Sequence, residues 1–186
     1  HQLNDSGAEA IVILENFAST LEKVIKNTRV KHVVLANMGD LLGFPKGAIV
    51  NLVVRKVKKM VPAFSLPGHT KFNDAVSAGR SMAFARPDIG PSDVAVLQYT
   101  GGTTGVPKAA MLTHRNIFAN TVQTALWHHR SIERGHERFL MVIPYFHIYG
   151  LTVGMMLGIW QGACQILIPK YDVEMVLAAL RDFQPT

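Results

Sequence analysis

Cysteine is nearly absent: Cys164 is the only one in 186 residues. That count excludes a disulfide framework and a cysteine-built metal site. Cys164 lies in the strand-like run Ala163-Cys164-Gln165-Ile166-Leu167-Ile168 and reads as a lone buried thiol, in keeping with a reducing cytoplasm. Charge is missing from residues 139–169, which contain no Lys, Arg, Asp or Glu. The stretch is long enough to raise the question of a bilayer span. Pro144, Gly150, Gly154, Gly158, Gln161 and Gly162 interrupt it, however, and His147 sits inside it, so a buried strand–helix–strand is expected instead. Acidic residues are missing between Leu41 and Asn73, where Lys46, Arg55, Lys56, Lys58, Lys59 and Lys71 stand alone. With those set aside, the other 13 basic residues equal the 13 acidic ones, so the net charge of +6 belongs to one segment. Only Phe44, Phe64 and Phe72 accompany those cations, and base-stacking platforms are therefore too few for a nucleic-acid interface.

What is present is an α/β pattern. Apolar runs at 10–14 and 32–36 flank a helical stretch at 17–26, for which Asn16 is the expected cap. Strand, helix, strand with short links implies a parallel βαβ unit over residues 1–37. Residues 38–93 read as a basic helical and irregular insertion, with a Leu66-Pro67-Gly68 turn and a short helix near 71–78. Residues 94–186 hold strands at 94–98, 139–143 and 165–168. Thr113 is expected to cap a helix at 115–129, and Asp172 a last one. The expected fold is a mainly parallel sheet with helices on both faces. The chain begins without a methionine and stops just past a helical pattern, so it reads as a piece of a longer protein.

The most informative stretch is Tyr99-Thr100-Gly101-Gly102-Thr103-Thr104-Gly105-Val106-Pro107-Lys108, directly after the first of those three strands. Glycines bring backbone N–H groups close to a ligand, and successive N–H groups make an anion-binding concavity. Thr100, Thr103 and Thr104 add hydroxyl donors, Lys108 a mobile cation, and Pro107 a fixed φ before it. A flexible hairpin turn is the alternative reading. The spacing is not that of a Walker A loop, because Val106 and Pro107 separate Gly105 from Lys108 and Ala109 follows the lysine. A second motif, Pro144-Tyr145-Phe146-His147-Ile148-Tyr149-Gly150, also follows a strand. Ligands collect outside the carboxyl ends of parallel strands, so Thr103 and His147 are expected on one side of the sheet.

Together with Ala110-Met111-Leu112-Thr113-His114-Arg115-Asn116, the glycine-threonine loop resembles the signature of adenylate-forming enzymes, and within them that of bacterial long-chain fatty acid–CoA ligases. Alanine at 109 departs from the glycine usual there. The resemblance implies a partial N-terminal domain and a parent using ATP, Mg2+, CoA and a fatty acid. Residues 99–110 would bind the ATP phosphates, with Tyr99, Thr100, Gly101, Gly102, Thr103, Thr104, Gly105, Val106, Pro107, Lys108, Ala109 and Ala110 in that role. Tyr145, Phe146 and His147 would border the acyl site, with Lys108 and His147 in supporting catalytic roles. No Tyr-Gly-x-Thr-Glu segment occurs, so the family's magnesium ligand is not in this chain. An aryl or medium-chain CoA ligase and an inactive nucleotide-binding module are the rival readings.

One further segment stands out. At helical spacing Val50, Val53, Val54, Val57, Met60 and Val61 share a face, with Asn51, Arg55, Lys58 and Lys59 opposite and Lys56 near the border. Such a helix either packs its valines on the core or lies on an anionic membrane surface through Arg55, Lys56, Lys58 and Lys59. The expected location is the cytoplasm, at the inner face of the membrane if that contact is made.

Overall fold

The computed structural model describes every residue except Gly102, Thr103, Thr104 and Val106. Two compact units emerge, His1–Pro87 and Asp88–Thr186. In the first, the short helix α1 (Gln2–Asp5) is followed by Gly7, whose φ of 65° is a left-handed conformation that glycine adopts without strain after a helix end. Strand β1 (Ala10–Leu14), helix α2 (Ala18–Val24) and strand β2 (His32–Ala36) follow, and β1 and β2 pair in parallel from Ala10↔His32 to Leu14↔Ala36. Ala18, Leu21, Leu35 and Leu66 form the core, with Ile11, Ile13 and Val33 packed against them. The βαβ expectation is therefore met. Asn16, however, does not cap α2: its amide donates to the Met60 carbonyl at 3.2 Å, and a 3-10 turn over Glu15–Phe17 opens the helix instead.

The basic insertion contributes to this sheet. After α3 (Lys46–Leu52) and a π-helical turn over Val53–Val57, the chain returns as β3 (Thr70–Lys71) to pair in parallel with β2, then enters α4 (Phe72–Arg80). The face assignment made from helical spacing is corrected here. Arg55 points inward: its Nε donates to Glu15 Oε2 at 2.7 Å and its guanidinium also reaches Asn37 Oδ1 at 2.7 Å. Asn51, one turn earlier, accepts from Gly39 N–H at 2.8 Å. Val57 and Met60, assigned to the packed face, are exposed instead, and of the apolar set only Val54 is buried. The physical reason is Glu15, which is 2% exposed at the carboxyl end of β1. A buried carboxylate is costly unless it is paired and hydrogen-bonded, and Arg55 supplies that partner from this segment.

In the second unit, β4 (Val94–Tyr99) pairs antiparallel with β5 (Ala109–Thr113). Strand β5 is not among the strands expected from the sequence. Thr113 then caps α5 (His114–Trp127) through a reciprocal capping box with Asn116. Strand β6 (Arg138–Met141) pairs in parallel with β7 (Cys164–Leu167), and between them lie a π-helix over Gly150–Met156 and α6 (Leu157–Gln161). This is the strand–helix–strand expected of the uncharged stretch. Among the described residues no helix is long and apolar enough to cross a membrane. Asp172 caps α7 (Val173–Phe183), accepting from Met175 N–H at 3.0 Å.

Glycines at every fourth residue let this helix lie against the strands. A Cβ on Gly150 would collide with the Pro144 carbonyl, and one on Gly154 with the Met141 side chain. On Gly158 it would stand 2.6 Å from the Gln165 amide nitrogen. Gly162 then turns the chain into β7 with a φ of 68°. Cys164 is exposed, so the expectation of a buried thiol is corrected: it opens a short strand whose side chains alternate between faces.

One carboxylate ties the C-terminal end of this unit to the approach to β6. Glu137, mostly buried, accepts from the Glu133 N–H at 2.6 Å and from the Thr186 hydroxyl. The Thr186 hydrogen bond first, and then the Glu133 backbone donor, hold its pKa below the ordinary carboxylate value. A depressed folded-state pKa adds stability above the unfolded value of about 4.3, and that stability is lost as pH falls through the folded value. Glu137→Gln should therefore weaken thermal stability at pH 7 but lose less of it on acidification to pH 3. Melting curves across that range check this; an identical acid loss in the variant would contradict it.

Candidate functional site

The loop singled out in the sequence joins the two strands of the β4–β5 hairpin. Tyr99 pairs with Ala109, and both the backbone N–H and the hydroxyl of Thr100 donate to the Lys108 carbonyl, at 3.0 and 3.3 Å. The loop is thus pinched at its base, with Gly101, Gly105, Pro107 and the Lys108 side chain exposed beyond the pinch. Gly102, Thr103, Thr104 and Val106, assigned to phosphate contacts from the sequence, lie outside the described residues. Unlike a Walker loop, this one leads into a strand. Helix α5 begins only after β5, so any anion held here depends on loop N–H groups and Lys108 rather than on a helix N-terminus.

The second motif forms a tight turn at the end of β6. His147 N–H donates to the Pro144 carbonyl at 3.0 Å, and the His147 carbonyl accepts from Leu151 N–H at 2.9 Å, starting the helical stretch. The His147 ring is exposed, and its Nδ1 lies 3.2 Å from Tyr149 N–H. An Nδ1 that accepts a hydrogen bond leaves the neutral ring protonated on Nε2, so His147 presents a donor. Phe146 is also exposed, whereas Tyr145 is half-buried, with its hydroxyl bonded to Gln165 Oε1; burial raises its pKa, so the phenol stays neutral.

The two motifs meet through Gln98. Its amide donates to the Phe146 carbonyl at 3.4 Å, which puts the last turn of β4 beside the His147 turn. The strands that precede the two motifs do not pair with each other: β4 pairs with β5, and β6 with β7. Of the residues expected to share a side, Thr103 is undescribed; Gln98 and Phe146 are the ones seen in contact.

Beside the turn lie three open clefts of about 320, 330 and 550 Å³, all lined by Tyr149 and Val153; the first is mainly apolar, with Phe139, Leu140 and Leu157, and the third mixes Ile117 and Ile148 with Asn116, Asn120 and Thr152. Their size suits small-molecule sites. Ile117 from α5 and Leu157 from α6 extend the lining on opposite sides. Tyr149, Val153 and Leu157 lie one helical turn apart, a spacing from which a wall of this kind can be read.

The whole chain, residues 1–186, matches the AMP-binding enzyme family. The chain belongs to that family. Among its relatives, a long-chain-fatty-acid–CoA ligase of Escherichia coli O6:H1 is 48% identical over 168 residues, covering 90% of this chain and 30% of the relative. The same enzyme of Haemophilus influenzae is 46% identical, covering 98% of this chain and 33% of the relative. This AMP-binding chain therefore spans about a third of the length of those relatives. Its fold matches the crystal structure of a long-chain-fatty-acid-CoA ligase from Archaeoglobus fulgidus with a TM-score of 0.68 over all of this chain and 30% of the other, at 23% sequence identity. That likeness bears on the fold alone, and the mixed α/β architecture with parallel sheets agrees with it.

Proposed function

We propose that the whole protein carrying this chain is a long-chain fatty acid–CoA ligase. The observation that carries the reading is the contact between Gln98 and Phe146, which joins the glycine-threonine loop to the His147 turn beside a cleft lined by Phe139, Leu140, Val153 and Leu157. In the proposed reaction a fatty carboxylate oxygen attacks the α-phosphorus of ATP, the bond to pyrophosphate breaks, and acyl-adenylate forms. The CoA thiolate then attacks the acyl carbonyl and AMP leaves with its bonding electrons. Residues 99–110 cradle the phosphates: loop N–H groups and hydroxyls accept the charge on the departing pyrophosphate, and Lys108 offsets it. His147 offers its Nε2–H to an oxygen of the acyl carboxylate, with Phe146 and Tyr145 forming the apolar approach.

Magnesium belongs to this chemistry as the counter-ion of ATP. Residues 99–110 contain no carboxylate, and protein magnesium sites usually rest on one or two. The loop does not fit a magnesium site by itself, and no step above runs through the ion.

The acyl tail is assigned to the cleft around Tyr149 and Val153. Val153→Trp in the full-length protein should raise KM for long-chain acids about tenfold, the order of one or two lost methylene contacts, while short acids keep theirs. Equal effects at every chain length would place the tail elsewhere. An aryl or medium-chain acid is the rival substrate, and the same series separates it.

Cytoplasmic location with peripheral membrane contact is a second part of the proposal, supported by one feature. Ile49, Leu52, Val57 and Met60 are exposed, as are Lys56, Lys58 and Lys59. Arg55 is removed from that set, since Glu15 and Asn37 hold it.

A further inference from the structure

Gln165 is an unusual side chain to find facing a helix. It sits on β7, half-buried, with its amide against the one-atom side of Gly158. Its Nε2 lies 3.2 Å from the Met155 carbonyl, within the π-helix. Its Oε1 is bonded to the Tyr145 hydroxyl. The chemistry fixes the orientation. A carbonyl only accepts, so the group facing Met155 must be the NH2, the group facing Tyr145 must be the oxygen, and the phenol must donate.

These two partners lie on either side of His147. Tyr145 precedes it by two residues and packs on the helix, its Cε1 3.6 Å from where a Gly154 Cβ would stand. Met155 follows in the helix that the His147 carbonyl starts. Near the open end of the turn, the ring is held by the hydrogen bond from Tyr149 N–H to Nδ1. A π-helix is a loosely wound stretch whose ladder is easily shifted, and such stretches recur at functional sites.

We infer that Gln165 is a positioning residue, clamping Tyr145 and the Met155 carbonyl so that the turn between them holds His147 in its Nε2–H form facing the acyl site. The inference rests on the proposed role of His147. Neither end of the clamp touches a reacting atom. The raised pKa of Tyr145 agrees with it, since the phenol must keep its proton to donate.

The test uses the full-length protein, histidine-labelled with 15N. Gln165→Met keeps the volume beside Gly158 but removes both hydrogen bonds. It should lower kcat/KM for the fatty acid about tenfold, leave KM for ATP unchanged, and move the His147 ring shifts from one tautomer to a mixture. Gly158→Ala approaches the same point from the other side. Its methyl would displace the Gln165 side chain and break both of its hydrogen bonds, so activity and the His147 ring shifts should change as in Gln165→Met. Gln165→Glu should recover activity as pH falls toward its own pKa, because the protonated acid again offers one acceptor and one donor. Gln165→Met with unchanged kinetics and an unchanged tautomer would overturn the inference. His147→Ala is measured alongside. If it keeps full activity, the acyl-site role of His147 fails, while the ring shifts still decide whether Gln165 positions the turn.

Discussion

Lys108→Ala in the full-length protein is expected to cut the rate of acyl-adenylate formation about a hundredfold, the usual loss when one preorganised group facing transition-state charge is removed. The argument begins at the base of the loop. The Lys108 carbonyl is held by Thr100 through both its N–H and its hydroxyl, so the backbone at 108 is fixed by bonds that alanine retains. The side chain is exposed beyond that pinch. Truncation should therefore leave the fold intact and remove only the cation. Because the charge on pyrophosphate grows as the bond to the α-phosphorus breaks, kcat should fall more than KM for ATP rises. Lys108→Arg should recover only part of the rate, since a planar fork replaces a compact point charge. A Lys108→Ala protein with near-normal turnover would place the pyrophosphate elsewhere.

Arg55→Leu is the substitution expected to harm stability most, by about 3 kcal/mol. Removing one partner of a buried ion pair leaves the other charge uncompensated, at a cost of about 3–5 kcal/mol; the Arg55 side chain is itself 46% exposed, which argues for the lower end. Glu15 Oε1 has no hydrogen-bond partner among the described residues, so Oε2 carries the whole compensation. Without Arg55 the Glu15 carboxylate stays buried with no cation beside it. The double variant Glu15→Leu/Arg55→Leu should regain much of the loss. Denaturant melts at pH 7 measure both; a double variant as unstable as Arg55→Leu would point to packing rather than charge.

Glu15 also explains where sequence reading stopped. The strands at 10–14 and 32–36, the Thr113 and Asp172 caps and the helix after His147 follow from local patterns, in which side-chain period and capping chemistry act within a few residues. The segment at 46–61 has an equally clear period, and its spacing put Val50, Val53 and Val54 on the packed side and Lys58 and Lys59 outside, as observed, but misplaced Arg55, Val57 and Met60. Nothing in its own residues reveals that a carboxylate 40 positions earlier is buried and draws Arg55 inward. Asn16 failed as a cap because it lies inside the 3-10 turn over Glu15–Phe17, with its amide turned to the distant Met60 carbonyl and its Oδ1 without a partner among the described residues. At the candidate site both motifs were legible because glycine, threonine, lysine and histidine declare their chemistry. Gln98 and Gln165 were not, since a glutamine in a strand shows its purpose only once its two partners are placed. The π winding over Gly150–Met156 was hidden too, although the glycines at every fourth residue did mark the face that meets the strands.

The central claim is that the loop at 99–110 and the His147 turn serve one adenylating site. The most direct measurement is a rapid quench of the full-length protein with ATP, magnesium and a long-chain fatty acid in the absence of CoA, with products identified by mass. The account predicts acyl-adenylate and pyrophosphate in equal amounts, formed only with the fatty acid and lost in Lys108→Ala. Release of ADP and phosphate, or adenylate formation unaffected by Lys108→Ala, would contradict it.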